Sequence, residues 1–180
     1  MTEGSSQRPP LDTDDAPASE RLVKLLGEVK ALAQEYYELT GGRSLQITGE
    51  VAEYEAAQLL GLVLAPVRQP GYDAWRSDER IQIKGCAVLP GKLSSWRMGT
   101  LDLDKEWDAT VLVLLDKRYE PTAMYEATRS ALEESLQRIA NEAAEKQSKP
   151  QGMAVTEFIQ LGRQVWPVNA LGRDHGGCDP

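Results

Sequence analysis

The run Thr110-Val111-Leu112-Val113-Leu114-Leu115 constrains the fold more than any other stretch. It is strand-sized, shows no alternation, and holds a single polar residue, so it reads as the buried centre of a sheet. Such a strand needs a covering layer on each face. The flanking periodicity supplies them. Between Glu20 and Leu39, Leu22, Leu25, Leu26, Val29, Leu32, Ala33 and Tyr36 recur at three- and four-residue steps, which predicts a helix ended by Gly41-Gly42. This helix is expected to pack on the core, and it could instead pair with a second copy in a homodimer. A second helix is expected from Gly49 to Leu60, capped by Thr48 and stopped by Gly61. Strands follow at 62–67, 71–75 and 80–85, then a loop, the apolar strand, and a return strand over Thr122 to Ala127. Helices are expected over 130–147, with Leu132, Leu136 and Ile139 inward, and over 155–165. The order predicts an α/β three-layer sandwich, a mixed central sheet flanked by helices.

One domain over residues 20–168 accounts for this order, with Met1 to Ser19 as a polar tail and 169–180 as a frayed end. No apolar run reaches the ~18–20 residues that span a membrane, and the first residues lack the apolar stretch of a secretory signal. Cys86 and Cys178 give no disulfide framework, so a reducing cytoplasm is the expected compartment. His175 and Cys178 lack a second ligand pair, which argues against zinc. The net charge of −8 argues against a protein that holds nucleic acid by bulk electrostatics. The excess is uneven. Residues 1–20 carry five acids and one arginine, whereas 61–120 balance with nine of each sign.

The chemistry concentrates in Gly71-Tyr72-Asp73-Ala74-Trp75 and Arg80-Ile81-Gln82-Ile83-Lys84-Gly85, two short strands joined by Ser77-Asp78-Glu79. Alternation on the second strand sends Ile81 and Ile83 to a core and Gln82 and Lys84 to the other face. If the two strands pair, Asp73 joins that polar face. Taken singly, each residue has an ordinary role: Asp73 in a turn, Gln82 as an edge polar group, Lys84 as a solvated charge.

Asp73, eight intervening residues, then Gln82-x-Lys84 resembles the metal-binding core of the PD-(D/E)xK nuclease superfamily, which includes restriction endonucleases and archaeal Holliday junction resolvases. The string from Gly49 to Gly85 also looks like a small bacterial domain family placed in that superfamily. Gln at the second acidic position occurs in some branches. The resemblance implies a restriction-endonuclease-like fold and Mg²⁺-dependent (or Mn²⁺-dependent) hydrolysis of phosphodiester bonds, with nucleic acid, DNA first, as partner. It implies Asp73 and Gln82 as metal ligands, the backbone carbonyl between Gln82 and Lys84 as a further oxygen, and Lys84 as the charge-stabilising group. The acid carried by the preceding helix in that superfamily would be Glu53 or Glu50, which share a helix face, with Glu53 preferred; Glu55 is expected to face solvent. Tyr72, Arg68 and Arg76 flank the site as weaker substrate-binding candidates, and Arg80, Trp75, Lys92, Trp96 and Arg97 are further residues that could meet phosphates or bases. The rival reading is a nuclease-fold member without catalysis, serving as a nucleic-acid or protein-binding module in a bacterial defence or toxin-immunity system.

Overall fold

A computed structural model describes residues 16–88 and 95–167 of the chain. Six strands form one sheet in sequence order: β1 Val63–Leu64, β2 Ala74–Arg76, β3 Glu79–Ala87, β4 Ala109–Leu115, β5 Pro121–Thr128 and β6 Arg163–Trp166. Every neighbouring pair is antiparallel except β3 and β4, which run parallel from Ile81↔Ala109 to Ala87↔Leu115. The helices are α1 Ala16–Leu39, α2 Thr48–Leu60, α3 Arg129–Glu145 and α4 Val155–Leu161. The expected mixed sheet flanked by helices is present, and β4 lies at its centre with all seven residues buried.

The two sheet faces have separate cores. On one, Val51, Ala52 and Ala56 of α2 meet Ile81, Ile83, Val111 and Val113. On the other, Leu132 and Leu136 of α3 and Val155 and Phe158 of α4 meet Trp75, Leu112, Leu114 and Trp107. The alternation along β3 thus works as expected: Ile81 and Ile83 belong to the α2 side, Cys86 to the opposite side. The segment before β4 is tied down, because Trp107 Nε1 donates to the Asp102 carbonyl at 2.9 Å and the Arg129 guanidinium lies 5.0 Å from the Trp107 ring centre. Among the described residues, no helix is long and apolar enough to cross a membrane.

Several expectations are corrected. The helix expected over 155–165 divides: α4 ends at Leu161, Gly162 is extended, and residues 163–166 become β6 on the free edge of β5. Backbone pairing across β5 decides this, and it is invisible in a local apolar pattern. The strand expected over 62–67 shrinks to two residues. Thr48 is the first helical residue of α2 rather than its cap; Ile47 holds the cap position with no side-chain hydrogen bond. Cys86 lies buried in β3 rather than in a loop, and burial pushes its thiol pKa up. Helix α1 starts at Ala16, inside the expected tail. Its main apolar face does not pack on the core either. It meets the domain through Leu26, the buried Ala33, and Lys30, which donates to Glu55 at 2.5 Å. Leu22, Leu25, Leu32 and Tyr36 stay exposed. Lys92, His175 and Cys178 lie outside the described residues, as do residues 1–15 and 168–180.

Candidate active site

Strands β2 and β3 pair only from Arg76↔Glu79 to Ala74↔Ile81. One residue further, the Asp73 N–H donates to the Ile81 carbonyl at 2.9 Å and the Asp73 carbonyl accepts from the Ala65 N–H at 2.9 Å. There the backbone ladder between β2 and β3 stops. The Ile83 N–H finds the carboxylate of Asp73 instead, Oδ2 accepting at 2.7 Å. The Gln82 amide nitrogen donates to the same oxygen. Asp73 therefore holds the split between the two strands with one oxygen, and its Oδ1 has no hydrogen bond among the described residues. Asp73 and Gln82 lie opposite each other on the same sheet face, as the alternation required.

Helix α2 approaches this split from the side. It crosses β3 at Gly85, where a Cβ would lie 2.5 Å from the Thr48 carbonyl oxygen and 2.7 Å from Ala52 Cβ. Only a residue without a side chain permits that crossing. Glu53, next to Ala52, is thereby held where its charge and that of Asp73 interact. Burial raises its carboxyl pKa above the usual glutamate range; the charges of Asp73 and Glu50 raise it further, and Lys84 opposes them. Of the two helix glutamates, Glu53 is the partly buried one, and Glu50 is exposed one turn earlier. Glu55 is a correction: its carboxylate is held by Lys30 rather than left in solvent.

Lys84 is half-buried, and its chain lies along Gly99, whose absent Cβ would sit 3.5 Å from Lys84 Cδ and 4.0 Å from Nζ. No hydrogen bond or ion pair engages its ammonium among the described residues. Thr110 was not singled out from the sequence. It is the β4 neighbour of Gln82, fully buried, with a hydroxyl that has no partner among the described residues. Its signal was a lone polar residue in an apolar strand, and the strand pairing that gives it meaning was not readable.

The flanking candidates do not join the group. Tyr72 is buried in the second core, its ring edge-on to Trp75 at 4.6 Å. Trp75 is itself core. Arg76 is held by Glu126, and by Glu79 at 3.3 Å. Arg80 is held by Asp108 at 2.9 Å and Glu106 at 2.6 Å. Arg97 donates to the Gly152 carbonyl at 2.9 Å. Arg68 sits in an exposed turn at φ 69°, with no contact tying it to Asp73.

The carboxylates of Asp73 and Glu53 and the amide oxygen of Gln82 are hard oxygen groups, the kind Mg²⁺ or Mn²⁺ prefers. Crowding of Glu53 by Asp73 and Glu50 is a local excess of negative charge, which a divalent cation would relieve. Among the described residues no group of three His, Cys, Asp or Glu stands ready to hold a metal. Asp73, Glu53 and Glu50 are thus not gathered into a three-acid cage. Comparison with known proteins finds no matching family model and no curated protein of significant similarity.

Proposed function

We propose that the chain is a divalent-metal-dependent phosphodiester hydrolase acting on nucleic acid, with DNA as the first substrate to test, built on a restriction-endonuclease-like framework. The observation that carries this reading is the split hairpin itself. Asp73 takes the Ile83 N–H and the Gln82 amide on one carboxylate oxygen, and the charges of Asp73 and Lys84 both act on Glu53. A purely structural hairpin would continue its backbone pairing, and would gain nothing from crowding two acids beside a buried helix flank.

Mg²⁺ or Mn²⁺ held there would polarise the phosphoryl oxygen and acidify a water molecule. Asp73 and Glu53 would supply the charged ligands, and Gln82 its amide oxygen. The amide nitrogen of Gln82 now faces Asp73, so ligation requires the amide to turn over. Lys84, fixed along Gly99, would stabilise negative charge developing on the phosphate and orient the attacking water.

The test compares the parent with Lys84→Met, which keeps the stem against Gly99 and removes the charge. Nicking of supercoiled plasmid and of single strands is followed with Mg²⁺ or Mn²⁺, beside thermal melting with and without the ion. The reading expects metal-dependent cleavage in the parent, loss of at least about 100-fold in the variant, and an unchanged fold. Equal cleavage by both proteins would refute it.

A binding module without catalysis is favoured by one feature: the Gln82 amide nitrogen occupies an Asp73 carboxylate oxygen that ligation would need. That reading expects no rise in melting temperature with metal and no cleavage.

A further inference from the structure

Helix α1 carries two different stripes. Leu26, Lys30 and Ala33 face the domain, with Ala33 fully buried and Lys30 paired to Glu55. The second stripe is Leu22, Leu25, Val29, Leu32, Tyr36 and Leu39, spaced 3, 4, 3, 4, 3. That is the alternation of a coiled-coil seam, sustained over two and a half heptads. It faces away from the core: Leu22 is 46% exposed, Leu25 44%, Leu32 60%, Tyr36 39% and Leu39 80%. Val29 within it is half-buried. Scattered exposed leucines are ordinary, but five exposed apolar residues in one such line are not.

We infer that this seam is the interface between two copies of the chain, which pair through α1 in antiparallel orientation. Three observations select that occupant. First, a heptad seam is matched by a second seam of the same period, and the chain itself provides one. Second, the charges along α1 are uneven. Glu20, Arg21 and Lys24 leave its first half with one net positive charge, whereas Glu28, Glu35 and Glu38 dominate its second half, where Lys30 is already held by Glu55. Antiparallel pairing sets the basic end of one helix against the acidic end of the other and opposes the two helix dipoles. Third, the size fits. Eighteen residues from Leu22 to Leu39 span about 27 Å of helix, and a seam that long buries on the order of 1,000 Å² over both copies. That is the threshold of a specific interface, so the dimer is reversible, with a dissociation constant on the order of micromolar.

The inference is independent of the catalytic reading. Its test is sedimentation equilibrium of the full chain from about 1 to about 500 µM, a range that brackets the expected affinity. The mass should rise from the monomer's 19.9 kDa toward twice that value. The double variant Leu25→Asp with Leu32→Asp should stay monomeric with an unchanged melting temperature at low concentration, because both side chains are exposed. Reversing Glu35→Lys and Glu38→Lys should weaken association at least tenfold, since it sets like charges together only in the antiparallel arrangement. A parent that stays monomeric throughout would overturn the inference, as would a Leu25→Asp, Leu32→Asp protein that still dimerises. A monomer destabilised by those substitutions would mean that the chain covers the seam itself, and a charge reversal without effect would overturn the orientation.

Discussion

Replacing Gly85 with alanine tests whether the crossing of α2 over β3 sets both the stability of the domain and the site. The added Cβ would meet the Thr48 carbonyl oxygen at 2.5 Å, Ala52 Cβ at 2.7 Å and Thr48 Cγ2 at 3.1 Å. Ordinary contact needs about 3.5–4 Å between carbon atoms. Two of the three obstacles are a backbone oxygen and a Cβ, which cannot rotate away, so α2 must retreat by about 1 Å. Overpacking of this kind costs typically about 1–3 kcal/mol. In a domain of this size each kcal/mol lowers the melting temperature by about 2–4 °C, so a fall of about 4–8 °C is expected for a cost near the middle of that range. The retreat also carries Glu53 away from Asp73. Its raised carboxyl pKa should fall back toward the ordinary glutamate value, and any stabilisation by Mg²⁺ or Mn²⁺ should shrink. Urea unfolding, thermal melting with and without the ion, and NMR titration of the glutamate carboxyls measure all three effects. A melting temperature within about 1 °C of the parent would refute the packing argument. A large fall with an undiminished metal response would show that Gly85 does not position Glu53.

Two further outcomes follow from the charges. Glu53 has a folded pKa above its unfolded value near 4.5, so its ionisation costs stability as pH rises from about 4.5 through the folded value, and Glu53→Gln should abolish that loss and raise the metal-free melting temperature at pH 7. Parallel stability profiles of parent and variant against pH would contradict this. Glu126 behaves oppositely: burial alone would push its pKa up, but hydrogen bonds from Arg76 and Arg163 outweigh burial and hold it below the usual range. Its contribution is present above about pH 4.5 and is lost as pH falls through the folded value, and Glu126→Gln should cost about 2 kcal/mol at pH 7 by chemical unfolding, with a smaller difference in acid. A variant as stable as the parent at pH 7 would refute the role given to this pair of arginines.

The amino-acid sequence by itself determined whatever depends on neighbours along the chain. The unbroken apolar run placed β4 at the sheet centre, and alternation put Ile81 and Ile83 in the core with Gln82 and Lys84 opposite. Helical spacing found α1, α2 and α3, and the Asp73 and Gln82 spacing named a pair that the fold brings into hydrogen-bond contact. Only the tertiary structure decided what depends on distant partners. Residues 163–166 are a strand because β5 offers them a free edge. Arg76 is unavailable because Glu126, fifty residues away, holds it. Thr110 matters because a parallel register sets it beside Gln82. The rotation of α1 was undecidable from its pattern, since two apolar stripes compete; Ala33, small enough for close approach, and the Lys30–Glu55 ion pair turn the weaker stripe inward and leave the stronger one outside. Periodicity reports that a side chain prefers company, but the partner is fixed by packing across the whole chain.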